Sequence, residues 1–191
     1  MHELDDWELV ARTRAGDVDA FAVLVRRYQG PVISFCWRML GSTQDAEDVA
    51  QECFVRLHRH IHRLEPRARF STVLFGIARN LALNYLRDAR RRGRDTAAHL
   101  NETVVVPESG DRPDQQARLK EIESALEQAL AALSTDHREV LVLREFQGLD
   151  YESIAKVLGC RVGTVRSRLH RARLELRDAL KGMLASEGIS D

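Results

Sequence analysis

Residues 160–173 read CRVGTVRSRLHRAR, and the interpretation of the whole chain starts from this stretch. It contains five arginines and no acidic residue, although the 191-residue chain has 29 Lys+Arg against 29 Asp+Glu. Such a local excess of positive charge in a chain of zero net charge indicates a partner of opposite charge. An ordinary solvated Arg-rich helix is the alternative, but a solvated helix surface normally mixes charges of both signs.

Small and apolar residues around this stretch predict a helix-turn-helix. Ala155 is the small residue where two helices touch, Gly159 makes the tight turn, and Val165 is the apolar anchor of the second helix. The residues that the second helix is expected to bury are Val165, Leu169, Ala172 and Leu176.

The other side of the second helix is polar and basic. At about 100° per residue, Ser167, His170 and Arg171 point furthest from the buried stripe. Central Arg and Ser side chains suit base edges in a major groove, whereas arginines nearer the shoulders suit phosphates. The residues predicted to contact DNA are Thr164, Arg166, Ser167, Arg168, His170, Arg171 and Arg173.

The sequence before residue 92 has helical periodicity almost throughout. A short helix over residues 5–15 precedes a stripe from Phe21 onward, in which Gly30-Pro31 predicts a kink or a restarted turn. Further apolar stripes over 46–61 and 73–86 predict two more helices. We expect these helices to form an N-terminal domain over residues 1–92.

Residues 93–117 interrupt the periodicity with Gly, Pro, Asp and Ser, and residues 95–117 hold five acids and one arginine. We predict a flexible acidic linker there. A C-terminal helix-turn-helix domain over 118–191 follows, with an apolar stripe at Ile122, Leu126, Leu130 and Leu133 and capping residues at 134–136. The predicted fold class is therefore all-α, with two small helical domains joined by the linker.

Catalytic and metal-binding patterns are weak. No nucleophile–base pair, phosphate loop or paired carboxylates are visible, so we expect neither enzymatic activity nor a cofactor. His58, His60 and His62 would suggest a metal site on a strand, but on a helix His60 points away from the other two, and a solvated basic helix end is favoured.

The cysteines and the lack of a long apolar stretch predict where the chain is located in the cell. Cys36, Cys53 and Cys160 share no close spacing, which favours reduced thiols in a cytoplasmic protein. The N-terminal MHELDDWEL has no apolar run, and no stretch is long enough to cross a membrane, so we expect neither a signal peptide nor membrane insertion.

Two sets of motifs resemble one protein family. Residues 149–176, LDYESIAKVLGCRVGTVRSRLHRARLEL, are similar to the −35-reading domain of bacterial sigma factors of the extracytoplasmic-function (ECF) group. The same family's other domain resembles residues 21–28, the AEDVAQECF of residues 46–54, the FST of residues 70–72 and the IARN of residues 77–80. Both sets occur in the family's order, over about residues 8–92 and 118–182.

The resemblance implies roles for the first domain. Its third helix would dock on the clamp helices of the largest subunit of core RNA polymerase, and the polymerase flap would be a second contact. The residues implied in polymerase binding are Asp48, Gln51, Glu52 and Phe54. The residues implied in capture of a melted −10 strand are Arg69, Phe70, Asn80, Asn84 and Arg87. Promoter DNA and an anti-sigma factor are the other implied partners.

Two other classes of function fit part of the sequence. A stand-alone helix-turn-helix repressor or activator would bind operator DNA unaided and would not need the AEDVAQECF helix. A nucleic-acid-processing enzyme could use the helix-turn-helix as a tether, but the missing catalytic pattern argues against it. The predicted function is an ECF-type sigma factor that directs core RNA polymerase to promoters.

Overall fold

The computed structural model describes residues 4–93 and 113–186, and every regular element in these two ranges is helical. The helices of the first range are α1 Asp6–Arg14, α2 Val18–Leu40, α3 Thr43–His60 with a 3-10 turn at Ile61–Arg63, and α4 Phe70–Arg91. Those of the second are α5 Pro113–Ala132, α6 Thr135–Leu141 with a π-helical turn at Val142–Phe146, α7 Tyr151–Leu158 and α8 Val162–Ser186. The predicted all-α fold class is confirmed.

Side-chain caps explain where several helices begin. Asp5 and Glu8 form a capping box at the start of α1, in which each side chain accepts a backbone N–H. At the starts of α2, α3 and α7, the side chains of Asp17, Ser42 and Asp150 cap the helix. Each accepts a hydrogen bond from the backbone N–H three residues later. Local sequence therefore fixes these helix starts before any packing is considered.

Helix α2 is continuous through Pro31, so of the two predicted outcomes, a kink or a restarted turn, the restarted turn is wrong. The helix runs through Pro31 to Leu40 and is stopped by the C-cap Gly41, whose φ is 78°. Proline removes one backbone hydrogen bond. Buried side chains on both sides of Pro31, such as Leu24 and Phe35, keep the helix against α3 and α4 and offset that loss.

The first four helices bury a shared apolar core. The Phe35 and Phe75 rings from α2 and α4 meet edge to face, with centroids 5.7 Å apart. Trp7 of α1 packs on Phe70 and donates from Nε1 to the carbonyl oxygen of Ala68 at 3.1 Å. These contacts fix the loop that leads into α4.

Helices α7 and α8 form the predicted helix-turn-helix, and α6 packs against α8. Val165, Leu169 and Ala172 are all buried, as the sequence predicts. Gly159 ends α7 with a φ of 64°, a left-handed conformation that disfavours residues with a Cβ. The turn and the buried stripe together set the rotation of α8 about its own axis.

Helix α5 differs from its prediction in two ways. It begins at Pro113, so the last residues of the predicted linker are helical, while the predicted linker residues 94–112 lie outside the described residues. Ile122, predicted to be on the buried stripe, is 49% exposed. Residues 120–124 are all exposed, and Ala125, the next residue, is buried where other helices cover α5.

The N-terminal and C-terminal helices pack against each other. Helix α4 contacts α7, and α2 contacts α5, α6 and the π-helical turn. The buried apolar residues of both halves form one continuous cluster. Periodicity within each helix gives no information about this packing.

Candidate nucleic-acid interface

The outward side of α8 carries the residues predicted to read DNA. Arg166, Ser167, His170 and Arg171 are exposed, because the buried stripe turns the opposite side of the helix inward. Thr164 is half-buried on the flank. The rotation deduced from the sequence is therefore the rotation in the structure.

The arginines of α8 fall into two groups by their partners. Arg168 pairs with Asp136 of α6 at 2.7 Å, and Arg173 pairs with Glu145 of the π-helical turn at 2.6 Å. Hydrogen bonding to Glu145 raises the pKa of Arg173. Within residues 4–93 and 113–186, Arg166 and Arg171 have no acidic partner. These two can bind an acceptor without first releasing an acid, whereas the paired arginines must exchange one.

A cleft beside α8 contains residues that the sequence analysis missed. Arg144 and Tyr151 line it together with Arg166, and the Arg144 guanidinium lies 5.1 Å from the centroid of the Tyr151 ring. Arg144 also donates to the carbonyl oxygen of Leu149 at 2.8 Å. The sequence gives little indication that Arg144 belongs to this cleft, because its closeness to α8 depends on how three helices pack.

The residues predicted for −10 capture are only partly on the surface. Asn80, Asn84 and Arg87 are exposed along one side of α4, and Arg87 donates to the Asn84 side chain. Arg69 is exposed and lies 3.5 Å from Asp150 of the C-terminal domain. Phe70 is buried, with 2% of its surface exposed, so in this arrangement its ring is part of the core.

The residues predicted for polymerase binding lie on α3. Asp48 and Gln51 are exposed, and Glu52 is half-buried and forms an ion pair with Arg56 at 2.7 Å. Phe54, the fourth residue implied in polymerase binding, is partly buried against the core, so less of its ring is open to a partner. Val55 is the exposed apolar residue here, seven positions after Asp48 and therefore on the same side of the helix.

The cysteines and His58 were the other candidate residues of the sequence. Cys36, Cys53 and Cys160 are free thiols, and burial raises the pKa of Cys36 and of Cys53 to about 12. His58 packs its ring against Phe21, with centroids 4.8 Å apart. In the described parts of the chain, no three His, Cys, Asp or Glu side chains are arranged to hold a metal ion. No described helix is both long and apolar enough to span a membrane.

Comparison with protein families identifies both halves of the chain. Residues 24–92 match the family described as Sigma-70 region 2, and residues 123–176 match Sigma-70, region 4. The class of protein is therefore a sigma-70-type factor, which is a non-catalytic subunit of bacterial RNA polymerase.

Curated relatives narrow this class. The chain is 38% identical over 186 residues to the RNA polymerase sigma-H factor of Pseudomonas aeruginosa, covering 94% of this chain and 95% of the relative. It is 36% identical over 176 residues to the ECF RNA polymerase sigma-E factor of Escherichia coli, covering 90% and 92%. It is 32% identical over 182 residues to the ECF RNA polymerase sigma factor SigW of Bacillus subtilis, covering 91% and 96%.

Two solved structures have a similar fold. The sigma factor RpoE of Bartonella quintana, in complex with the anti-sigma factor NepR, gives a TM-score of 0.68 at 25% identity and covers 86% of this chain and 98% of its own. CnrH, in complex with the cytosolic domain of CnrY, gives a TM-score of 0.67 at 30% identity and covers 93% and 97%. The chain belongs to the ECF family of RNA polymerase sigma factors, and it directs promoter-specific transcription with RNA polymerase.

Proposed function

We propose that α8 reads the −35 element as duplex DNA in the major groove. The observation that carries this proposal is that Arg166 and Arg171 are exposed, without an acidic partner within the described ranges, on the side opposite the buried stripe. A guanidinium in that state can donate two hydrogen bonds to a guanine edge. Arg168 and Arg173, each held by an acid, suit phosphate contacts that position the helix.

Capture of the melted −10 strand is assigned to α4 and the loop before it. Asn80, Asn84 and Arg87 offer amide and guanidinium donors along one exposed side, and Arg69 adds positive charge at the helix start. An unstacked base costs a few kcal/mol, which a protein pocket and backbone contacts must recover. Trp7 and Phe70 support this function indirectly, because their contacts hold the loop before α4 in place.

Docking on core polymerase is assigned to the exposed side of α3. Asp48 and Glu52 provide carboxylates, Gln51 adds a polar amide, and Val55 adds an apolar contact further along the helix. Such a surface suits a partner helix pair that presents basic and apolar side chains. The polymerase flap is the proposed second contact, made by the C-terminal domain.

An anti-sigma factor is the proposed regulator. RpoE of Bartonella quintana was solved in complex with the anti-sigma factor NepR, and the alignment with it covers both domains of this chain. Either a soluble anti-sigma protein or the cytosolic part of a membrane protein would serve as this regulator.

The test is run-off transcription with purified core polymerase on a library of genomic promoters. We expect transcripts only when core and this chain are both present, from promoters that share a −35 and a −10 element. Arg171→Ala should change which −35 sequences are selected. A chain that binds operator DNA unaided and leaves the promoter choice of the polymerase unchanged would contradict the proposal.

A further inference from the structure

The loop before α4 is held at both ends by side chains of α1. At its first end, Arg14 donates from Nε to the carbonyl oxygen of Ile61 at 2.9 Å and from Nη2 to that of Leu64. At its second end, Trp7 donates from Nε1 to the carbonyl oxygen of Ala68. The position of the loop therefore depends on a helix that is distant from it in the sequence.

Residues 64–69, which separate the 3-10 turn from α4, are called the −10 loop below. Its middle projects into solvent, where the Glu65 and Arg67 side chains are 57% and 85% exposed and pair with each other. The N–H of Arg67 donates to the carbonyl oxygen of Glu65 at 2.8 Å, and the ring of Pro66 fixes the φ between them. The tip is therefore stiff within itself, but the two ends decide where it points.

Helix α1 is a firm base for these contacts. Leu9 and Val10 are buried in the core of the N-terminal domain. The Asp6 carboxylate accepts hydrogen bonds from the Tyr28 hydroxyl and the Arg27 guanidinium, both on α2. Helix α1 is thus tied to α2, and through α1 the −10 loop is tied to the body of the domain.

Arg14 is chemically suited to hold two carbonyl oxygens at once. A guanidinium carries several N–H donors in a fixed planar arrangement, and hydrogen bonds from a charged donor are stronger than neutral ones. The Arg14 side chain is half-buried, so water compensates only partly for a lost bond. Helix α1 also lies before residues 24–92, the segment that matches Sigma-70 region 2.

We propose that Arg14 and Trp7 are positioning residues for −10 recognition, which hold the −10 loop in one shape and so sharpen the choice of −10 sequence. This inference rests on the proposed function, which assigns strand capture to α4 and this loop. A loop that is ordered before binding loses less conformational freedom when the strand arrives. A loop that is free to adjust also accepts wrong bases, because a flexible surface can repack around different partners.

The first set of variants removes the anchor at the start of the loop. Arg14→Met keeps the apolar stem of the side chain and removes all its donors. Arg14→Lys is the conservative variant, because its ammonium can still donate to a carbonyl oxygen. The matched control is Arg12→Met on the same helix, which removes a guanidinium from an exposed pair with Asp17.

An independent variant removes the anchor at the other end of the loop. Trp7→Phe keeps an aromatic ring beside Phe70 and removes the N–H that Ala68 accepts. It carries the same test if Arg14→Met does not fold by circular dichroism.

Two properties are measured for the full-length chain and each variant. Hydrogen exchange at the backbone amides of the −10 loop reports how often the loop opens. Transcription by core polymerase from two promoter libraries, one with a randomised −10 element and one with a randomised −35 element, reports the selectivity for each element separately.

The expected effects follow from the number of hydrogen bonds lost. One bond changes an equilibrium by about fivefold, so Trp7→Phe should speed exchange in the loop by about that factor and lower −10 selectivity by up to as much. Arg14→Met loses two bonds and should have the larger effect, with Arg14→Lys between it and the unmodified chain. All the variants should keep −35 selectivity, and Arg12→Met should leave both properties unchanged.

The outcomes separate this inference from the proposed function. Absence of any −10 preference with the unmodified chain would overturn the proposed function. Given that preference, folded variants that speed exchange in the loop but keep −10 selectivity would overturn the inference, as would unchanged exchange in the loop. Equal losses of selectivity at −10 and −35 would overturn it too, because they would indicate a general loss of stability instead of a displaced loop.

Discussion

The sharpest test of the proposed readout is a comparison of Arg171→Ala with Arg173→Ala. Both side chains are exposed on α8, and neither belongs to the buried stripe of Val165, Leu169 and Ala172, so both variants should fold. They differ in their partners, because Arg173 is bonded to Glu145 and Arg171 has no acidic partner in the described residues, and Arg171 points further from the buried stripe. The comparison therefore holds residue type, charge and helix constant.

The expected effect of Arg171→Ala follows from that difference. Because Arg171 has no acid to release, its guanidinium can donate two hydrogen bonds to a guanine. Such a contact favours the correct base over the others by roughly 1–3 kcal/mol. The middle of that range corresponds to about thirtyfold between the preferred base and the others. The loss of base preference in Arg171→Ala should be confined to one or two positions of the −35 element.

Arg173→Ala should behave differently. A phosphate contact carries no sequence information, so binding should weaken alike for all −35 sequences, and the slope of log affinity against log salt should flatten by about one unit. The half-exposed pair with Glu145 contributes at most about 1 kcal/mol to stability, so the free energy of unfolding should hardly change.

The assay is selection from a promoter library with a randomised −35 element, transcribed by core polymerase with each variant, together with binding titrations at several salt concentrations. If Arg171→Ala lowers total activity but keeps the base preference of the unmodified chain, the assignment of this side of α8 to direct readout is refuted. Equal changes in base preference for both variants would refute the division between free and acid-paired arginines.

Further predictions concern the other surfaces and the turn. Asn80→Ala should reduce transcription from a duplex promoter more than from one with a pre-opened −10 bubble, because its proposed task is strand capture; equal losses on both templates would contradict this. Asp48→Arg should weaken core binding in a pull-down, whereas Asp19→Arg, the same charge change at an exposed position of α2, should not; equal retention of core by the two variants would remove α3 as the docking surface. Gly159→Ala should lower the free energy of unfolding by about 1–2 kcal/mol in urea titrations, because it forces an L residue to a φ of 64° in otherwise open space. Gly76→Ala, inside α4 and equally unobstructed, should instead raise it by about 1 kcal/mol, and the same sign for both glycines would contradict the backbone argument.

The sequence was sufficient for the features that depend on local periodicity. The spacing of Val165, Leu169 and Ala172 gave the buried side of α8, and with it the outward direction of Arg166 and Arg171. The Asp5, Asp17 and Asp150 caps lie directly before their helices, because a capping bond spans only two or three residues. The family motifs then gave the class of protein, which the comparisons confirm.

Tertiary structure decided which side of each helix meets a neighbour. Phe54 turns toward the core and leaves Val55 exposed, Phe70 is buried under Trp7, and Ile122 projects from an uncovered part of α5. In each case the helical period was right, but it specifies only which residues share a side, not whether another helix covers that side.

The buried carboxylate of Glu139 depends on tertiary structure most of all. In the sequence, Glu139 is one acid among 29, placed on a short helix with no motif. It becomes a buried acid because α4, sixty residues earlier, brings Arg79 to it and α8 brings Arg168. A charge can be buried only where partners from distant segments replace its water, and the positions of those segments are set by the packing of the whole chain.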